Sequence, residues 1–383
     1  MGVETRSWEQ VRRHFPITEE AVYLDAAAVG PMPDFLRDSH LRAFEERLGR
    51  RAPGEFLESR ERARGALARY MAVAPDDIVY LGNTTDAINT VVGSIAWKPG
   101  DEVVVHDQDF PSNLIPWIRL RERGVVVRAA QSERGRLSIE AVERELSERT
   151  RLVALSHVFY HSGFRMDLAE LGRRLHQRNI YLSVDGIQAL GLARPDLEHV
   201  DFYMGAIYKG LCGPFGLSIL YIDHRVADTL VPEHVGYASL DSDGIPWEGS
   251  MPYRGGSQRF QAASVNYPAL HALADMMTFL EALTFERVTE RILDLSGAAM
   301  DGLGRVAGID IVTPPDRDRR LGIAAFRIGD LPSDAVAAEL AGQGIRVAAR
   351  AGNVRASFHI YNNDEDVARL VDAVADMARG RMA

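Results

Sequence analysis

Only two of the 44 basic side chains in this 383-residue chain are lysines, Lys98 and Lys209; the others are arginines. Arginine can replace lysine wherever a positive charge is all that is needed. It keeps its proton at physiological pH, however, and cannot act as an amine nucleophile. A lysine retained against that bias is therefore a candidate for chemistry. Lys98 stands in Trp97-Lys98-Pro99-Gly100-Asp101, a polar turn that reads as a solvated loop. Lys209 follows an apolar run in Met204-Gly205-Ala206-Ile207-Tyr208-Lys209-Gly210, and Gly210, Gly213 and Gly216 let backbone approach a ligand closely. An amine desolvated there has a lowered pKa and can form an imine with an aldehyde.

Two further segments suit the same chemistry. Gly82-Asn83-Thr84-Thr85-Asp86-Ala87 follows an apolar run and opens a helix, with residues suited to capping its first turn. Free amides and hydroxyls at such an end bind anions, phosphate above all. No G-x-G-x-x-G and no G-x-x-x-x-G-K-[ST] occurs, so dinucleotide and P-loop readings lose their main support. In Tyr181-Leu182-Ser183-Val184-Asp185-Gly186-Ile187-Gln188, the acid Asp185 ends an apolar strand. It either caps a helix or, facing a pyridine nitrogen, keeps that nitrogen protonated so that the ring accepts electrons.

The elements that must position these residues can be read from periodicity. Residues 34–49 and 55–71 read as amphipathic helices. Seven runs rich in β-branched or aromatic residues follow: Ile78–Leu81, Val103–His106, Val125–Ala129, Leu152–Ser156, Ile180–Val184, Asp201–Met204 and Leu217–Ile222. Helical stretches such as Ile139–Glu148 and Leu168–Arg178 separate most of the first five, which predicts an α/β layer with a mainly parallel sheet. After a Gly- and Pro-rich loop, Tyr237–Gly256, the pattern changes to long helices over 264–306. Short strands near 323–328, 345–348 and 354–359 and a final helix over 364–378 then predict a smaller α+β domain.

Composition narrows the function classes. The length suits two domains, and 46% apolar with 26% charged residues is ordinary for a soluble globular protein. A net charge of -10 disfavours nucleic acid and anionic membrane as partners. No apolar stretch approaches bilayer-spanning length, and the N-terminal residues contain no signal-like apolar core, so a cytoplasmic location is expected. One cysteine, Cys212, excludes an intrachain disulfide and a Cys-rich metal site, and no metal is expected.

Taken together, the phosphate loop, the Asp-x-x-Gln segment and the lysine some 24 residues later resemble the class V aminotransferase family. This is the fold-type-I pyridoxal-phosphate group of cysteine desulfurases, isopenicillin-N-epimerase-like proteins and kynureninases. The resemblance runs from Tyr23-Leu24-Asp25-Ala26-Ala27-Ala28 to Arg355-Ala356-Ser357-Phe358-His359-Ile360-Tyr361-Asn362. It implies an α/β fold with a seven-stranded, mainly parallel sheet in the large domain and a smaller α+β C-terminal domain. The expected division is 1–20 as a segment packing with the small domain, 21–260 as the pyridoxal-phosphate domain and 261–383 as the small domain.

For the site, the resemblance implies a Schiff base on Lys209 and places Thr84 and Thr85 on the phosphate. Phe110 and Tyr160 would lie at the cofactor ring, Asp185 at its nitrogen, Gln188 near its hydroxyl and Tyr208 near the phosphate. Ser264, in Arg259-Phe260-Gln261-Ala262-Ala263-Ser264-Val265-Asn266, would reach the phosphate of a neighbouring subunit, implying a homodimer with a shared active site. Gln261 and Ala263 depart from the family pattern there. Arg355 would clamp a substrate carboxylate, with Ala28 beside the substrate; the direction of Arg350 stays open, and His157 is expected to support structure. The nucleophilic cysteine that desulfurases carry just before this arginine is missing from Gly344–Val354.

The expected activity is therefore β-elimination from a small amino acid, such as C–S cleavage of a cysteine S-conjugate. Transamination, epimerisation and decarboxylation-linked deamination by the same family remain alternatives. So do a non-catalytic pyridoxal-phosphate-binding protein and a Schiff-base lyase that works without cofactor, although the last leaves the phosphate loop and Asp185 unexplained.

Overall fold

A computed structural model describes residues 6–49, 55–242 and 244–382. The seven runs singled out in the sequence are the seven strands of one sheet: β1 Ile78–Leu81, β2 Glu102–His106, β3 Val126–Ala130, β4 Thr150–Ser156, β5 Tyr181–Asp185, β6 Phe202–Ala206 and β7 Ser218–Ile222. Their spatial order is β1-β7-β6-β5-β4-β2-β3. Every pairing is parallel except those of β7, which runs antiparallel to both β1 and β6. Two antiparallel steps restore direction, so β1 points the same way as the parallel strands. Its carboxyl end, where the phosphate loop begins, thus lies on the same sheet edge as the ends of β5 and β6. Leu81 and Ala206 both pair with Ser218 across β7.

Burial on both faces of the inner strands explains why they read as near-continuous apolar runs, whereas the edge strand β3 is only partly covered. Along β4, Leu152 and Ala154 join one core with Ile88 and Val91 of the helix Thr84–Ser94. Val153 and Leu155 join the other with Leu67 of Glu55–Met71 and Leu273 of Tyr267–Leu283. Alternate side chains of each strand serve opposite layers, as the two-residue period requires.

A second, antiparallel sheet has the order Ala348–Arg350, Asn353–Ser357, Ile323–Ile328, Ile309–Ile311. Phe326, Leu340 and Leu370 build its core with Leu295 and Leu303. The long helix Phe285–Gly304 crosses between the two cores: Phe285 and Val288 belong to the large one, Leu295 and Leu303 to the small one. The start of the chain is tied to the small sheet's side. Val22–Tyr23 pairs in parallel with Ile345–Arg346, and Arg12 donates to the Tyr361 carbonyl (2.7 Å) and to Asp366 (2.8 Å). Among the described residues no helix is long and apolar enough to cross a membrane.

Candidate active site

The carboxyl edge of the parallel strands collects the residues that the sequence singled out. Asp185 is the last residue of β5 and only 3% exposed. Burial pushes its carboxyl up to about 6, against the Ile187 N–H and the Lys209 charge, which favour ionisation. Oδ1 accepts that N–H at 3.0 Å, and Oδ2 has no donor among the described residues. Lys209 follows β6 and is 9% exposed. Burial lowers its amine to about 8, while Asp185 acts in the opposite direction. Nζ lies 5.8 Å from the ring centroids of both Phe110 and Tyr208 and makes no hydrogen bond among the described residues. A buried amine with a softened pKa and no partner is suited to covalent work.

The phosphate loop arrives at the same edge. Asn83 caps the helix Thr84–Ser94 by accepting the Asp86 N–H (2.9 Å), and the amides of Thr84 and Thr85, in the first turn, have no intrahelical acceptor. Thr84 Oγ1 accepts the N–H of Ala206 at 2.9 Å, which ties the loop to β6; Thr85 is half-buried. Phe110 is 42% exposed and meets Tyr160 edge-on at 5.3 Å. Tyr208 packs against Phe215, the rings tilted by 34° with centroids 4.5 Å apart. Gln188 Nε2 donates to the Ala27 carbonyl (3.1 Å), and Ala28 N–H donates to the Asp25 carbonyl (3.0 Å), so the 25–28 turn lies over this edge.

Arg355 stands on the neighbouring sheet and is 1% exposed. Its Nη2 donates to Asp25 Oδ1 (2.9 Å) and its Nη1 to the Tyr160 carbonyl (3.0 Å), whereas Nε is buried without a partner among the described residues. A buried donor left unpaired is costly, and this one awaits an acceptor. Just ahead of it, Arg350 pairs with Asn353 across the two-residue turn Ala351-Gly352, both at positive φ (49° and 76°). That turn leaves no loop there. Cys212 is fully buried, with Sγ 3.6 Å from His359 Nε2, and burial pushes its thiol up. Ser264 is placed apart from this group. It is exposed, bonds to Tyr237 Oη (2.8 Å) and lines a separate cleft with Arg60, Arg64 and Arg254.

Three contributors carry no role in the sequence reading. Asp25, inside a quoted motif, is the partner of Arg355. Asp109 is buried behind Phe110, and its carboxyl accepts from Ser156 N (2.9 Å), Ser156 Oγ (2.6 Å), Asn113 Nδ2 (3.1 Å) and Phe110 N (2.7 Å). Burial, with Asp185 nearby, nevertheless pushes it up to about 7. Gly30 donates its N–H to the Tyr208 carbonyl, and a Cβ there would come within 2.1 Å of the Lys209 carbonyl oxygen. Only the repeated glycines hinted at such a close approach. His157 is buried as expected, its Nδ1 3.3 Å from Tyr203 Oη and its amide on the Asp185 carbonyl (2.9 Å). Burial drops its imidazole to about 3, so it is neutral.

These donors and acceptors fit pyridoxal phosphate. Among the described residues there is an unpartnered amine for the aldehyde, a carboxylate oxygen without a donor for the ring nitrogen, and two free amides for the phosphate. No group of three or more His, Cys, Asp or Glu that could hold a metal occurs among the described residues.

Comparison with known proteins agrees. The model of the family "aminotransferase class-V" matches residues 22–370. A probable cysteine desulfurase of Methanothermobacter thermautotrophicus is 29% identical, covering 97% of this chain and 98% of the relative. One from Staphylococcus aureus is 27% identical, covering 95% of each. Among solved structures, the apo cysteine desulfurase of Thermococcus onnurineus NA1 superposes with a TM-score of 0.89 at 24% identity, covering 98% of this chain and 99% of the other. The cystine C–S lyase C-DES, complexed with its product cysteine persulfide, superposes with a TM-score of 0.85 at 23% identity, covering 94% and 99%. Both superpositions support the fold.

Proposed function

The chain belongs to the class V aminotransferase family and is a pyridoxal-phosphate enzyme acting on an amino acid; from that premise we propose that it catalyses β-elimination, cleaving the C–S bond of a cysteine S-conjugate. The observation that carries this reading is the pairing of a competent base with the lack of a reachable thiol. Lys209 is buried, has no hydrogen-bond partner among the described residues and has its amine lowered to about 8, whereas Cys212 is buried beneath the lysine turn and the segment before Arg355 is a two-residue turn. The relatives named as desulfurases act on cysteine, and without a nucleophilic cysteine an enzyme of this design has no acceptor for their sulfur.

Bound pyridoxal phosphate supplies an aldehyde for amines and a cationic ring that withdraws the electron pair left at Cα. With the cofactor bound, Asp185 would hold a proton at the ring nitrogen, its Oδ1 fixed by the Ile187 N–H. The amides of Thr84 and Thr85 would hold the phosphate, and Phe110 would lie at the ring. Arg355 presents Nε to the substrate α-carboxylate, with its two Nη atoms anchored on Asp25 and Tyr160. Lys209 Nζ removes the Cα proton. The Cβ–S bond then breaks with its electron pair going to sulfur, and thiol, pyruvate and ammonia leave after addition of water. Ser264, exposed and bonded among the described residues only to Tyr237, serves the site of a second copy in a homodimer.

The test is product analysis of the holoenzyme with S-substituted cysteines. Pyruvate, ammonia and thiol should appear in equal amounts, and Lys209→Ala should lower the rate by roughly 10²–10⁴-fold, the span for loss of a positioned base. Formation of a keto acid that depends on an added amino acceptor would overturn elimination in favour of transamination.

A further inference from the structure

The hairpin that carries Arg355 presents a second guanidinium on the same face. Ala348 pairs directly with Arg355 and Arg350 with Asn353. Directly paired residues share a face, as do residues two apart on one strand, so Ala348, Arg350, Asn353 and Arg355 all point the same way. That face looks onto the 160–161 segment: Arg355 donates to the Tyr160 carbonyl and Asn353 Nδ2 to the His161 carbonyl (3.3 Å). Two strand residues span about 7 Å, so Arg350 stands about that far from Arg355 along the ladder, toward the turn.

The two arginines differ in what they hold. Arg355 is buried and tied to Asp25. Arg350 is exposed, and among the described residues its guanidinium bonds only to the adjacent Ala349 carbonyl (2.8 Å) and has no carboxylate partner. Its charge nonetheless acts on the site: it disfavours the protonated Lys209 amine and favours ionisation of the Tyr160 phenol. A cation whose field acts on the reacting amine, that has no carboxylate partner among the described residues and that shares a strand face with the α-carboxylate donor is placed to meet charge on the ligand.

We infer that Arg350 is a second anion-binding residue of the substrate pocket, and that the substrates are amino acids whose departing side chain bears a negative charge. Two arginines about 7 Å apart along one face of the ladder suit a substrate with an α-carboxylate at one end and an acidic group beyond its sulfur at the other. Guanidinium–carboxylate pairing supplies both affinity and orientation. The leaving-group half of the inference rests on the elimination proposed above; the anion-binding half does not.

The experiment compares holoenzyme with its Arg350→Ala and Arg350→Lys variants on a matched pair, S-(carboxymethyl)-L-cysteine and its neutral amide, S-(carbamoylmethyl)-L-cysteine. Affinity is read by titrating the cofactor's visible absorbance, independently of turnover, and kcat/KM from pyruvate release. Wild type should favour the acid by about tenfold, the preference should fall to near unity in Arg350→Ala, and Arg350→Lys should restore part of it. An acid-to-amide ratio unchanged by Arg350→Ala overturns the inference, as does a spectrum that neither ligand perturbs. Loss of the acid preference in binding with no pyruvate from either compound upholds the anion site and removes elimination instead.

Discussion

Lys209 could be picked out by type before anything was known of its surroundings, but its reactivity comes from burial. Solvent exclusion lowers the amine from 10.5 to about 8, with Arg355 and Arg350 acting in the same direction and Asp185 against it. A lowered lysine pKa means that the neutral, nucleophilic form appears as pH rises through about 8 rather than near 10.5. The rate at which the apoprotein takes up pyridoxal phosphate should accordingly rise with pH about a midpoint near 8, followed by absorbance of the bound cofactor. A rate still climbing toward the ordinary lysine range would show that the amine is solvated and would remove the basis for its role. Asp109 shows the reverse case. Its type gave no hint of a buried carboxyl pushed up to about 7, because burial is a property of its neighbours.

At the scale of elements, periodicity located the seven strands to within about two residues, since strands buried on both faces must be apolar throughout. It located helix ends less well. The helix expected over Ile139–Glu148 stops at Arg144, where Ser147 diverts its amide to Thr150 Oγ1 and its hydroxyl to Glu102. Two short strands, Val22–Tyr23 and Ile309–Ile311, were not legible, because two or three residues carry no period. The departure at Gln261 has a structural use. Its Oε1 accepts the Tyr80 N–H (2.9 Å) and its Nε2 donates to the Tyr80 carbonyl (3.2 Å), covering the free side of edge strand β1 as a further strand would. A glutamate would present a second acceptor to that carbonyl. Gln261→Ala should lower unfolding stability by about 1–2 kcal/mol, seen as a lower urea midpoint with an unchanged slope. An unshifted midpoint would show that water replaces both bonds without cost.

Across the whole molecule, the site exists where three parts of the chain meet: the carboxyl edge of the large sheet, the hairpin of the small sheet and the 25–28 turn. Asp25 joins them, bridging to Ser357 through the backbone and to Arg355 through its carboxylate. Removing one member of a largely buried ion pair leaves the other charge uncompensated. Asp25→Ala should therefore cost about 3 kcal/mol in stability, somewhat less than a fully buried pair because the Asp25 side chain keeps 21% exposure. Thermal unfolding checks this, and the same variant should raise KM for carboxylate substrates by freeing the Arg355 fork. Wild-type stability together with wild-type KM would show that Arg355 is held by the Tyr160 carbonyl alone.

The order of chemistry along the chain was fixed by residue type and spacing alone: an anion-binding helix start, an acid at a strand end, an amine between glycines. Those properties are local, and so is the alternation that predicted the sheet. Which way Arg350 faces, that Asp25 anchors Arg355, that Ser264 stands apart from Lys209 in its own chain, and that Asp109 is dehydrated were decided only by tertiary structure. Each depends on how separate elements pack together or on exclusion of water by distant side chains, and neither leaves a periodic trace in the sequence around the residue concerned.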